Sequence, residues 1–358
     1  MGKITRLQLE NFTCFEKLDV EFSEGVNVLI GVNGTGKTHI LKVLYAACAV
    51  TVGEGRERVF SDKLCSVFSP YRGDISRLWR NPIHYQDASS FLKKTGEDDL
   101  NQNSHPIEIE IDTDDKHLNF TTILESHVIR DYEPESFNAG LEGVYIPVKE
   151  MLAHAPGFRS LYAKREIAFE EIYLDILDQA YLPKLKNLSN PAYQSIHAGL
   201  GGAIGGMVIL KGEHFFLKTE QGEIEFSLLA EGIRKLALLW LLIQNGSLNP
   251  GSILFWDEPE ANLNPSLLGL VVETLLELQR QGVQIFLTTH NYVLLKEFDL
   301  RKKKDDAVRY ISLFREKDFD PVSSHSTDEY FAINPNAIAG TFSDLYKRDI
   351  SRALQVSQ

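Results

Sequence analysis

Gly31-Val32-Asn33-Gly34-Thr35-Gly36-Lys37-Thr38 decides how this chain is read. It spells Gly, four residues, Gly-Lys-Thr, the pattern of a phosphate-binding loop. Glycines let backbone N–H groups turn inward around phosphate oxygens, and the N-terminus of the next helix adds a favourable dipole. The flanks fit. Val26, Val28, Leu29 and Ile30 form an apolar run expected of a strand covered on both faces, and Ile40, Leu41, Leu44 and Ala47 recur at helical spacing over about 37–50. Gly31, Asn33, Gly34, Thr35, Gly36, Lys37 and Thr38 are therefore candidate phosphate-cradling residues. Lys37 is directed at the β- and γ-phosphates, and the Thr38 hydroxyl at Mg²⁺.

Such a loop needs a carboxylate for the metal and a group that activates water. Ser252-Ile253-Leu254-Phe255-Trp256-Asp257-Glu258 supplies both, as an apolar strand ending in two acids. Asp257 joins Thr38 as the expected metal ligand, and Glu258 is the expected general base. A further apolar strand, Ile285-Phe286-Leu287, runs into Thr288-Thr289-His290, and His290 is expected to sense the γ-phosphate. Roughly 220 residues separate the loop from the acids, far more than small GTPases and simple kinases place between their motifs.

The rest of the chain frames these motifs. Alternation at Ile4, Leu7 and Leu9, then at Leu18, Val20 and Phe22, predicts two half-buried strands. The stretch 51–105 is polar and irregular. Residues 97–115 carry eight acids and no Lys or Arg, the mark of a solvated loop and edge strand. Ile107, Ile109 and Ile111 open an expected antiparallel meander over about 106–147, and residues 158–188 have a helical pattern. A glycine cluster at 199–206 predicts a break, followed by strands at 207–210 and 214–217 and one leading into Phe226. From 231 to 298 helix and strand alternate, which predicts parallel α/β packing.

Composition bounds the function. The chain has 358 residues, 43% hydrophobic and 24% charged, with a net charge of −13. That is ordinary globular composition, and too acidic for a generic nucleic-acid coat protein. Cys14, Cys48 and Cys65 are too few and too scattered for a disulfide framework or a zinc site, so reduced thiols are expected. No apolar run approaches ~18 residues and no signal-peptide core opens the chain, so a cytoplasmic protein without a membrane span is expected.

Together these motifs resemble the ABC-type ATPase superfamily, in the branch that holds SMC, RecF and OLD-family proteins. Ile4 to Phe12 running into Gly31–Thr38 is similar to the opening of those heads. Asp257-Glu258-Pro259-Glu260-Ala261-Asn262-Leu263-Asn264-Pro265 is similar to their magnesium, base and dimer-facing segment. The resemblance implies an α/β ABC-type P-loop ATPase head with a mixed sheet, an antiparallel β subdomain and a helical insertion. Residues 1–50 and 226–358 would form the head, and 51–225 the insertion. It also implies ATP and Mg²⁺ as ligands, ATP hydrolysis, and a head-to-head homodimer or higher homo-oligomer. In that sandwich Ala230, Glu231 and Gly232 would form the signature acting on the partner's nucleotide, with Asn264 also acting across the dimer. Ala230 stands where the family carries Ser, which removes a hydroxyl donor. No Gln follows the strand Val144-Tyr145-Ile146 where the glutamine loop belongs, and Glu150 takes that place.

About 190 residues between phosphate loop and signature are too few for an SMC coiled coil. The 68 residues after His290 are too few for the nuclease domain of OLD proteins. Overall similarity is to stand-alone bacterial "AAA family" ATPases, which resemble the ATPase component of two-gene anti-phage systems of the PARIS and Septu type. There a separate effector protein carries the toxic activity. A RecF-like DNA-binding repair ATPase is the alternative, and a non-hydrolysing scaffold a third reading. No basic stripe marks a nucleic-acid surface, and Arg301-Lys302-Lys303-Lys304 is read as a solvated helix end.

Overall fold

The apolar run before the phosphate loop becomes the centre of the molecule. A computed structural model describes residues 2–51, 60–80, 107–125, 128–132, 140–164, 169–188, 190–317 and 320–356. In chain order its elements begin with β1 (Ile4–Phe12), β2 (Phe15–Glu21), β3 (Val26–Gly31), α1 (Lys37–Thr51) and α2 (Phe60–Phe68). Next come β4 (Ile107–Thr113), β5 (His117–Glu125), β6 (Val128–Tyr132), β7 (Gly143–Ile146), α3 (Phe158–Ala163), α4 (Glu171–Ala180) and α5 (Pro191–Ile204). The hairpins β8 (Met207–Lys211), β9 (His214–Thr219) and β10 (Gly222–Glu225) lead to α6 (Glu231–Gln244), β11 (Ile253–Asp257), α7 (Leu268–Arg280) and β12 (Gln284–Thr289). The chain closes with α8 (Tyr292–Arg301), β13 (Val308–Phe314), β14 (Ser323–Thr327) and α9 (Ala337–Val356).

Six strands form the core sheet in the order β14-β13-β3-β12-β11-β7, parallel except for the edge strand β14. Every residue of β3, β11 and β12 is buried, because the sheet is covered on both faces. The strand period of two sorts their side chains. Leu29, Phe255, Phe286 and Ile311 face α1, while Val28, Leu254, Leu287 and Tyr310 join the core built with α6, α7 and α8. A second, five-stranded antiparallel sheet, β2-β1-β4-β5-β6, covers the other side of α1. The expected α/β architecture with an antiparallel subdomain is thus the observed one.

Several local expectations resolve differently. The meander splits: β4–β6 extend the β1–β2 hairpin, with Leu7 opposite Ile111 and Leu9 opposite Ile109, whereas Gly143–Ile146 pairs in parallel with β11. Val144-Tyr145-Ile146 is apolar without alternation, as a strand buried on both faces must be. The glycine cluster does not end its helix at 199. α5 runs through Gly199, Gly201 and Gly202 and stops at Gly205, whose φ of +73° is the left-handed cap that glycine adopts readily. Asn190 caps its start by accepting the Ala192 N–H, Pro191 sits at its first position, and burial of Tyr193, Ile196 and Leu200 outweighs the glycine cost. Among the described residues, the helical pattern over 158–188 resolves into α3 and α4, with 182–188 outside them. The stretch expected to be irregular contains α2, while residues 97–106 of the acidic run lie outside the described residues.

Candidate nucleotide-binding site

At the end of β3 the chain turns through Gly31 and Gly36, with φ of +151° and +84°. Neither tolerates a side chain. A Cβ on Gly31 would meet the Leu313 carbonyl oxygen at 2.3 Å, and one on Gly36 the Phe15 ring at 2.4 Å. Thr35 pins the turn by donating its hydroxyl to the Val32 carbonyl at 2.9 Å, while Asn33 and Gly34 stand exposed at the tip. Lys37 opens α1 with its ammonium folded back, donating to the carbonyls of Gly31 (2.8 Å) and Val32 (3.0 Å). Burial lowers its pKa to about 8, against the opposing pull of Glu258 and Asp257.

Parallel register brings the second half of the site to this loop. Asp257 ends β11 opposite Thr288 of β12, and the Thr38 hydroxyl lies 3.1 and 3.0 Å from its two carboxylate oxygens. Thr288 donates to Asp257 Oδ1 at 2.5 Å and Tyr145 to Oδ2 at 3.5 Å. Glu258 follows with φ of +49°, its N–H donating to Thr288 Oγ1 at 3.0 Å. Its carboxylate lies 3.3 Å from His290 Nε2, and both side chains are about one-third exposed. Burial, reinforced by the Lys37 charge, lowers the His290 pKa. The structure therefore brings Lys37, Thr38, Asp257, Glu258 and His290 together from three neighbouring strand ends.

A hydroxyl and a carboxylate at this spacing are hard oxygen donors, the set that suits Mg²⁺ arriving on a nucleotide. Residues 230–232 lie elsewhere. Ala230 is exposed at the N-cap of α6 and makes no side-chain cap, while Gly232 packs so closely on the loop after Glu258 that a Cβ would sit 2.6 Å from the Asn262 carbonyl oxygen. Asn264 accepts the Ser266 N–H and caps the turn before α7. Glu150 sits in an ion pair with Arg234 of α6 at 2.6 Å rather than at the phosphate loop.

Three contributors escape sequence reasoning. Thr288 had a faint signal, a hydroxyl residue at a strand end. Tyr145 had none, because only the parallel pairing of β7 with β11 carries it to Asp257. Lys235, buried within α6, donates to the carbonyls of Ala261 (2.8 Å) and Glu258 (3.5 Å), a role that an apolar helix face does not announce.

Residues 26–296 match the family described as "AAA domain, putative AbiEii toxin, Type IV TA system". The chain belongs to this family. Among sequences, this AAA-domain chain is similar to structural maintenance of chromosomes protein 6A of Arabidopsis thaliana, 50% identical over 46 residues, covering 13% of this chain and 4% of the relative. It is also similar to the DNA replication and repair protein RecF of Actinobacillus succinogenes, 30% identical over 95 residues, covering 26% of this chain and 25% of RecF. The chain thus spans a quarter or less of the length of these relatives. Among solved structures it resembles the Smc head domain of Pyrococcus furiosus bound to the C-terminal domain of ScpA. The TM-score is 0.54 at 14% identity, over 91% of this chain and 96% of that one. The AAA-domain chain thus has the fold of an SMC head and shares short stretches of sequence with SMC and RecF proteins. No helix among its described residues is long and apolar enough to cross a membrane.

Proposed function

We propose that this chain binds ATP with Mg²⁺, hydrolyses it, and uses closure and opening of a two-headed ATP sandwich to control a separate effector protein in bacterial anti-phage defence. The convergence of Lys37, Thr38, Asp257, Glu258 and His290 carries the reading. Phosphate oxygens are better partners for the Lys37 ammonium than the two carbonyls it now contacts. Mg²⁺ held by Thr38 and Asp257 would neutralise charge on the phosphates. Glu258 accepts the proton of the attacking water, and His290 stands beside it to meet the γ-phosphate.

The exposed start of α6 supports a second copy in the site. Ala230 and Glu231 present a helix N-terminus suited to a phosphate held by a partner head, with Gly232 buried behind them against the Asn262 backbone, and Asn264 lies on the adjoining loop. In this reading the head is drawn from 1–50 and 226–358, and the insertion 51–225 lends it β7.

Glu258→Gln tests the proposal. It keeps the shape of the side chain and removes the base, so hydrolysis falls by about 10²-fold or more and ATP accumulates in a dimer visible by light scattering. A variant that stays monomeric with ATP bound would sink the sandwich. Phosphate release unchanged in Lys37→Ala would remove hydrolysis itself. The stretches shared with RecF favour a second reading, a DNA-binding repair ATPase. That reading requires steeply salt-dependent duplex binding by the purified chain, despite its charge of −13.

A further inference from the structure

Glu260 lies two residues beyond Glu258 and takes no part in the chemistry above. Its carboxyl reaches the start of the segment that carries His290. Oε1 accepts two hydrogen bonds, from the Thr289 hydroxyl at 2.6 Å and from the His290 N–H at 2.9 Å. The Thr289 hydroxyl oxygen in turn accepts the Asn291 N–H at 2.9 Å, and the Asn291 side chain caps α8 by accepting from Val293 and Leu294. Oε2 is buried without a hydrogen-bond partner among the described residues. Burial raises the pKa of this carboxyl, so the group costs stability where it stands. A costly side chain in a fixed pose points to a positional task.

The task follows from strand geometry. β11 and β12 are in register up to Asp257 and Thr288, and beyond that pair no ladder holds the two chains together. Glu258 leaves β11 through a left-handed conformation, and His290 leaves β12 toward α8. Thr288 ties the base side through the Glu258 N–H, and Glu260 ties the histidine side through the His290 N–H. We propose that Glu260 is a positioning residue that clamps the backbone of His290 to the base-bearing turn, and thereby holds the imidazole within reach of the Glu258 carboxylate. The inference rests on the hydrolysis reading of the same site. Glu260 hydrogen-bonds neither the phosphate loop nor the Thr38–Asp257 pair, and its charge acts on Lys37 only through space, behind Glu258 and Asp257, so its loss falls chiefly on turnover.

Steady-state ATP hydrolysis by the full-length chain tests it, with wild type, Lys37→Ala, Glu260→Ala and Glu260→Gln side by side. Glu260→Ala is expected to lower kcat by about tenfold or more while KM for ATP stays within about twofold, the scale expected when a reacting group is displaced by a fraction of an ångström. Glu260→Gln is expected to recover most of kcat, because an amide oxygen accepts the same two donors. Wild-type kcat in Glu260→Ala overturns the proposal. So does a Glu260→Gln variant as slow as Glu260→Ala, since that would assign the effect to charge. Should Glu260→Ala fail to fold, Glu260→Asp decides: it keeps the carboxylate but shortens its reach by one methylene, so the His290 N–H loses its acceptor, and an unchanged kcat overturns the clamp. A wild type no faster than Lys37→Ala overturns the hydrolysis reading itself and the clamp with it, a result separable from the others because it needs no Glu260 variant.

Discussion

Ala230 begins α6 in an extended conformation with no side chain to accept an orphan N–H of the first turn. A serine there would supply that acceptor and add a hydroxyl to the exposed helix start. Ala230→Ser is expected to raise stability by about 1 kcal/mol in denaturant unfolding. If α6 faces a partner's nucleotide, the same change also accelerates hydrolysis; a variant that is both no more stable and no faster would show that the N-terminus of α6 is already satisfied. What could be read residue by residue depended on distance along the chain. Gly31 to Thr38 act as neighbours, so their spacing carries the geometry. Glu260, Thr288 and Tyr145 meet their partners only across strands, and nothing local distinguishes them from ordinary polar or core residues.

The helices and strands around the site are positioned by contacts of the same long-range kind. The guanidinium of Arg280, at the end of α7, holds Asp306 in the turn before β13 through two bonds of 2.8 and 2.7 Å. That turn feeds Ala307, whose carbonyl accepts the Val26 N–H at the start of β3. Burial pushes the Asp306 carboxyl up, but Arg280 and the Lys303 N–H outweigh it and hold the pKa below the ordinary 3.8. A carboxylate depressed in the folded state adds stability above its unfolded pKa and loses it as pH falls through the folded value. Asp306→Asn is therefore expected to cost about 2 kcal/mol at pH 7. The gap to wild type closes below pH 3.8 in a series of thermal melts. A constant gap would refute the charge assignment. Periodicity identified nearly every strand and helix from 231 to 298, because their faces are amphipathic or wholly buried. It failed at α5, where packing against α6 and α7 overrides glycine propensity, and it passed over α9, a long helix whose residues 341–354 are exposed.

Over the entire chain, the five-stranded sheet and the nucleotide core share α1. Ile40, Leu41 and Leu44 contribute to the same cluster as Ile107, Ile109 and Ile111 on one side and Phe255 and Phe286 on the other. Ile109→Ala, at a fully buried site, is expected to cost about 2–5 kcal/mol. The loss is expected to fall on nucleotide binding as well as on the sheet, with fluorescence and circular dichroism reporting one transition. Two separated transitions would show the sheet to be an independent unit.

The sequence alone determined the phosphate loop, the acids at the end of β11, the parallel α/β rhythm of the second half and the acidic balance. Each of these is written in local spacing, hydropathy period or a count. Tertiary structure alone decided that β7 leaves the meander for the core sheet, that Glu150 pairs with Arg234, and that Glu260 reaches the His290 backbone. The reason is strand register: a shift of one residue sends every side chain to the opposite face, and register is set by the whole set of buried faces.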